Sequence, residues 1–304
     1  MTQQQYLKNL TVPEGKIDVV LDTDAYNEID DQFAISYMLR SPQKFCVKGI
    51  CAAPFWNPRS LSPADGMRKS YEEILKLLRL MGKEALVFKG SERYLPDEKT
   101  PVESDAAAFM AKLAREYSPE KPLYIIAIGA ITNVASAILK NPQMKENCVL
   151  VWLGGHGTHI PFAASEFNMK QDIAAARVVF GCGIPLVQLP CVGVVDRFAT
   201  SKYELQHWLQ GKNALCDYLL ENTVAEAESY ASGKPWTRVI WDVTAVAWFL
   251  NADERFMRER LIPSPIPEYD MHYAINENRH FIKYVYRIDR DALFADLFRV
   301  LGEP

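Results

Sequence analysis

The sequence predicts an α/β fold: an open, mostly parallel, doubly wound sheet with a helical C-terminal part. Three observations predict it. Short runs rich in β-branched and apolar residues recur through the first two thirds of the chain, and helical patterns separate them. Most of these runs are apolar at consecutive positions, as strands covered on both faces must be. The last third is more helical. In order, the expected strands are Ile17 to Leu21, Phe45 to Cys51, Ala85 to Phe88, Leu123 to Ile128, Cys148 to Leu153 and Ile184 to Leu189. Between them the spacing predicts helices over Asp31 to Leu39, Pro63 to Leu80, Ser104 to Tyr117, Thr132 to Leu139 and Asp172 to Phe180. Asn141-Pro142 and Gly181-Cys182-Gly183 supply helix stops. Later helices are expected at Lys202 to Gln210, Asn213 to Ala231, Ile240 to Leu250 and Asp291 to Leu301. The stretch His272 to Ile288 alternates and reads as a late pair of strands. With no repeat and no linker-like change of composition, residues 1–304 read as one domain.

Composition narrows the function classes. The chain has 304 residues, 34 of them basic and 38 acidic, for a formal charge of −4. That balance argues against nucleic acid as a partner, which would call for a basic stripe. No run approaches the roughly 18 apolar residues of a membrane span, and the start, Met1 to Tyr6, lacks the basic and apolar parts of a signal peptide. The six cysteines form no C-x-x-C pair, and several sit in apolar runs such as Phe45-Cys46-Val47. They read as reduced, buried thiols of a cytoplasmic protein.

The acids are unevenly spread. Five of them, Asp22, Asp24, Glu28, Asp30 and Asp31, fall within ten residues where the first strand gives way to a helix. Ligands of open α/β sheets bind outside the carboxyl ends of the strands. Crowded carboxylates raise one another's pKa, and a bound cation relieves that repulsion. All-oxygen ligands suit a hard ion, Ca²⁺ or Mg²⁺. The plainer reading is that Asp30 caps the following helix and the other acids are solvated. A haloacid-dehalogenase-type Mg²⁺ phosphatase also places Asp-x-Asp after its first strand. It wants Thr or Val where this chain has Tyr26, and it leaves the Asp30-Asp31 pair without a role.

Four blocks in order carry a more specific signal. They are Asp22-x-Asp24 leading to Asp30-Asp31; Ile128-Gly129-Ala130-Ile131-Thr132-Asn133-Val134-Ala135; Gly154-Gly155 followed by Glu166-Phe167-Asn168 and Asp172; and Ile240-Trp241-Asp242. The whole pattern resembles the nucleoside hydrolase family, in its inosine–uridine-preferring sense, from the first strand to the C-terminus. The resemblance implies a Rossmann-like fold and Ca²⁺-dependent hydrolysis of the N-glycosidic bond of ribonucleosides through an oxocarbenium-like transition state. It implies Asp24, Asp31, Asp242 and the Thr132 carbonyl as metal ligands, Asp30 as the base that activates water, and Asp22 as a support behind them. It implies Glu166 and Asn168, with Asn57, as contacts to the ribose. It also implies a homodimer or homotetramer. The alternative within this resemblance is a metal- and ribose-binding homologue with little hydrolytic activity.

Three departures mark the chain. Its loop Ala25 to Ile29 is two residues longer than the family's usual Pro-Gly-x. Trp241 stands where pyrimidine-preferring and non-specific members carry a histidine; an indole can stack on a base but has no useful proton to give. The loop Gly154 to His159 carries His156 and His159, either of which can meet a departing base.

Overall fold

A computed structural model describes residues 1–303. In chain order its elements are α1 (Gln3–Asn9), β1 (Ile17–Thr23), α2 (Asp30–Leu39), β2 (Phe45–Ala52), α3 (Pro63–Leu80), β3 (Val87–Lys89), α4 (Asp105–Leu113), β4 (Leu123–Ala127), α5 (Thr132–Lys140), α6 (Met144–Asn147), β5 (Cys148–Leu153), α7 (Phe167–Gln171), α8 (Ile173–Gly181) and β6 (Leu186–Leu189). Then follow β7 (Ala199–Thr200), α9 (Lys202–Leu209), α10 (Ala214–Ala231), β8 (Arg238–Val239), α11 (Val243–Trp248), β9 (Met257–Pro263), β10 (Ile266–Pro267), β11 (Tyr273–Ala274), β12 (Phe281–Ile288) and α12 (Arg290–Gly302).

The main sheet runs β3-β2-β1-β4-β5-β6-β12-β9. All its pairings are parallel except that of β9 with β12. The chain winds outward from β1 to β3, then returns to start β4 on the other flank of β1. The carboxyl ends of β1 and β4 therefore meet at the topological switch point.

Strand alternation divides the core in two. Val19 and Leu21 of β1, Tyr124 and Ile126 of β4, and Val149 and Val151 of β5 face one layer. Val20, Leu123, Ile125, Cys148, Leu150 and Trp152 face the other. Successive residues serve opposite layers, which is why these strands are apolar without interruption. Helix α2 has all ten residues buried, acids included. Helix α3 is amphipathic instead, burying Met67, Ser70, Ile74 and Leu77 on one stripe. Ser62 caps it by accepting the Asp65 N–H at 3.2 Å, with Pro63 opening its first turn.

The expected layout is present, with local differences. The helix predicted over Ser104 to Tyr117 stops at Leu113 and tightens into a 3₁₀ turn at Ala114–Glu116. The helix predicted from Ile240 starts at Val243, because Arg238–Val239 pair with Ala199–Thr200 as a small ribbon. The alternation from His272 to Ile288 holds no hairpin of its own. Tyr273–Ala274 pair with β10, while Phe281–Ile288 join the main sheet beside β6. Strand β9 went unread because Arg258, Glu259 and Arg260 break its hydrophobic signal. No helix among the described residues is long and apolar enough to cross a membrane.

Candidate active site

The first strand delivers Asp22, Thr23 and Asp24 to the switch point, and Asp30 and Asp31 open α2 just beyond. Asp242 precedes α11. These five aspartates are between 0 and 4% exposed. Asp30, Asp31 and Asp242 each place a carboxylate oxygen within 4.8 Å of the other two. Asp31 accepts the Thr23 hydroxyl and comes close enough to Asp242 to share a hydrogen bond. The Asp242 N–H donates to Asp30 Oδ2 at 3.3 Å. Asp30 and Asp31 also lie in the first turn of α2, where the helix dipole favours negative charge.

Asp24 is outside the 4.8 Å cluster but faces the same place. Its pKa is raised by burial first, then by the charges of Asp31 and Asp30. Neither of its carboxylate oxygens has a hydrogen-bond partner. Gly129, at the end of β4, makes room for it: a Cβ there would sit 3.0 Å from the Asp24 carboxyl carbon. Behind it, Asp22 accepts the Asn133 amide at 2.8 Å on one oxygen and leaves the other unmatched, and burial lifts its pKa to about 7. Burial also raises Asp30, Asp31 and Asp242, with neighbouring acids adding to the shift. Buried carboxylates with unmet oxygens are costly unless something positive completes them. The donor set, hard oxygens with no sulfur or nitrogen among them, matches a divalent cation of the Ca²⁺ or Mg²⁺ type.

Thr132 opens α5 next to this cluster. Its hydroxyl donates to Asp172 Oδ2 at 2.6 Å. Asp172 does more than cap α8 through Ala175. It also accepts the Leu95 N–H at 2.9 Å, so one carboxylate ties three segments together.

A cleft opens beside the acids. Its lining includes Asn27, Glu28, Asp30, His156, Glu166, Asn168, Trp241 and Asp242. Glu166 turns its carboxylate onto three backbone N–H groups, those of Gly155, Asn168 and Met169, at 2.8–2.9 Å. It is thus the N-cap of α7, and the three N–H groups with the Cys191 thiol take up its roughly four acceptor sites. Gly155 reaches it from a left-handed backbone, φ +76°. Asn168 donates its amide to the Leu153 carbonyl at 3.1 Å, which leaves its side-chain oxygen for the cleft. Asn57 is not part of the lining. Its amide donates to Asn27 Oδ1 at 2.7 Å, so it reaches the cleft through Asn27.

The two histidines separate. His156 lines the cleft and accepts the Val192 N–H on Nδ1 at 3.3 Å, which leaves the neutral ring's proton on Nε2. Burial lowers its pKa, partly offset by Asp196. His159 is exposed, beside Gly157 and Gly193, and does not line the cleft.

The model of the family described as inosine-uridine preferring nucleoside hydrolase matches residues 19–279. The chain belongs to that family. Membership makes it an N-glycosyl hydrolase by class and places it apart from the phosphatase alternative. Among curated relatives, a probable uridine nucleosidase 2 of Arabidopsis thaliana is 26% identical over 227 residues, 63% of this chain and 67% of that one. A pyrimidine-specific ribonucleoside hydrolase RihA of Citrobacter koseri is 41% identical over 91 residues, which are 29% of this chain and 28% of the relative. Other matched relatives of that kind are likewise covered over less than two thirds of their length. Among solved structures, an inosine-guanosine nucleoside hydrolase superposes with a TM-score of 0.76 at 18% identity, covering 95% of this chain and 99% of the other. A purine-preferring ribonucleoside hydrolase from Gardnerella vaginalis gives 0.73, also at 18% identity, covering 94% and 98%. At such identity these two establish the fold.

Several residues around this nucleoside hydrolase cleft gave no sequence signal. The Cys191 thiol meets the Glu166 carboxylate inside the lining. Arg238 bonds Glu28 at 2.7 Å across 210 positions of sequence. Asp172 belonged to a recognisable block, yet nothing in that block pointed to its link with Thr132.

Proposed function

We propose that this chain hydrolyses the N-glycosidic bond of ribonucleosides to ribose and free base, and that it does so with Ca²⁺. The observation that supports the reading is the group of buried carboxylates with unmet oxygens at the carboxyl ends of β1 and β4. Asp24, Asp31, Asp242 and the Thr132 carbonyl are the proposed ligands, with Asp22 holding the loop from behind. When bound, the cation would lower the pKa of a water and engage the sugar hydroxyls.

Asp30 is the proposed general base. It is fixed by the Asp242 N–H and lines the cleft, so it is placed to take the proton of an attacking water. The surrounding carboxylates favour positive charge as it develops on the sugar. Asn168 and Glu166 are proposed to receive ribose hydroxyls, one of them displacing the weak Cys191 thiol donor at Glu166. Asn57 would act by orienting Asn27. His156 is proposed to donate from Nε2 to the leaving base, with Trp241 offering a face for stacking; both line the cleft. His159, outside the lining, is left without a role in this scheme.

The same reading takes residues 1–304 as one domain working as a homodimer or homotetramer on a small nucleoside. It places the protein in the cytoplasm, which six unpaired thiols suit. A screen of purine and pyrimidine nucleosides, with and without a calcium chelator, tests the function. Base release that stops with chelator and with Asp30→Ala supports it; release indifferent to both overturns it. Trp241 in place of a proton donor favours one second reading, a ribose-binding homologue with slow turnover. Calorimetric binding of nucleoside without base release over long incubation would decide for that alternative.

A further inference from the structure

Among the described residues, no lysine or arginine lines the cleft, whose charged side chains are Glu28, Asp30, Glu166 and Asp242. Two guanidinium groups stand behind the wall that Asn27 and Glu28 form. Arg59 is spent on the main-chain carbonyls of those two residues, at 3.4 and 3.3 Å, and lies over the Tyr26 ring at 4.7 Å. Arg238 is different. Its side chain is 16% exposed, and it bonds Glu28 Oε2 at 2.7 Å, approaches Glu226 Oε2 at 3.3 Å and donates to the Tyr230 hydroxyl at 3.0 Å.

Of its two carboxylate partners, Glu28 belongs to the cleft wall and Glu226, on α10, does not. Glu28 is therefore the one charged member of this cluster that lines the cleft. An arginine fork is a ready receptor for phosphate, since its planar donors match phosphate oxygens in pairs. Here one nitrogen of that fork is held by Glu28 and another by the Tyr230 hydroxyl, while Nε makes no hydrogen bond although Glu226 lies 3.3 Å away; with two carboxylates on one guanidinium the cluster is net negative. We propose that Glu28 sequesters Arg238, and that this clasp keeps the cleft selective for uncharged nucleosides over their 5′-phosphorylated forms. Glu28 sits in the loop that joins β1 to α2, next to the proposed base Asp30.

The inference rests on the proposed nucleoside site, and its test is read by binding so that the two can fail separately. Calorimetry in the Asp30→Ala background, with the full chain equilibrated with Ca²⁺, compares inosine with inosine 5′-monophosphate and uridine with uridine 5′-monophosphate. Glu28→Gln is expected to shift the affinity ratio toward the monophosphate by about tenfold or more. Arg238→Met added to Glu28→Gln is expected to remove that gain. Glu226→Gln alone, which leaves the Glu28 contact in place, is expected to move the ratio by less than about threefold. An unchanged ratio in Glu28→Gln, a gain that survives Arg238→Met, or binding of neither ligand to any variant overturns the clasp. Absent base release by the unmodified chain would instead count against the hydrolytic reading.

Discussion

The floor and the wall of the cleft are built differently. The floor, Asp24, Asp30, Asp31 and Asp242, sits at strand and helix ends and is almost wholly buried. Main-chain geometry fixes it: β1 ends at Thr23, α2 begins at Asp30, and the Asp242 N–H bonds Asp30. The wall, Glu28, His156 and Trp241, stands on loops and is half-buried. Side-chain contacts hold two of its members, His156 through the Val192 N–H and Glu28 through Arg238 and Arg59. In the proposed scheme the sheet sets where bond-breaking chemistry occurs, and the loops set which base and which sugar substituent are accepted.

Substitutions can break this division. The largest effect is expected in the floor: Asp30→Ala should lower kcat by about 10²–10⁴-fold, the usual worth of a positioned general base. Its circular dichroism and melting curve should stay near those of the parent. Retained turnover would remove Asp30 from the role. Next comes the cation. Ca²⁺ at about 100 times its Kd should stabilise the fold by about 2.7 kcal/mol, lost on adding chelator, as read from denaturant unfolding. Asp22→Asn, one step behind the floor, should weaken Ca²⁺ binding by about 10–100-fold in a calorimetric titration.

The wall should respond by substrate. His156→Gln should slow natural nucleosides by about tenfold while leaving nitrophenyl riboside, whose leaving group needs no donor, nearly unchanged. His159→Ala should alter neither. Burial holds the His156 pKa below the ordinary histidine value, so the ring is already neutral at about pH 7. The ratio of parent to His156→Gln rates should therefore stay flat from there upward, and a ratio falling across that range would exclude the neutral donor. The smallest effect lies outside both regions. Ser62→Ala removes the α3 cap, for about 1 kcal/mol in denaturant unfolding, with kcat unchanged.

The same division explains what the sequence revealed. Asp22, Asp24, Asp30 and Asp31 are near neighbours in the chain, and a strand-to-helix junction carries them to one point, so the floor was legible. Thr132 and Asp242 were legible too, each at the start of a helix. The wall was not. Glu28, Glu226 and Arg238 look like ordinary surface charges until three distant segments bring them together. Glu166 was expected to face the sugar, and its pairing with three backbone N–H groups depends on a left-handed Gly155 that no spacing announces. Strand β9 was hidden for another reason: an alternation of opposite charges carries no hydrophobic period.

That charged strand has a consequence for how copies of the chain can meet. The main sheet ends at β9 on one side and at β3 on the other. The first displays Arg258 and Arg260 along its length, with Glu259 turned to Lys283 at 3.0 Å; the second is three residues long. A short strand and a charged one are both poor templates for a further strand. The main sheet is thus poorly suited to growing edge to edge into fibres.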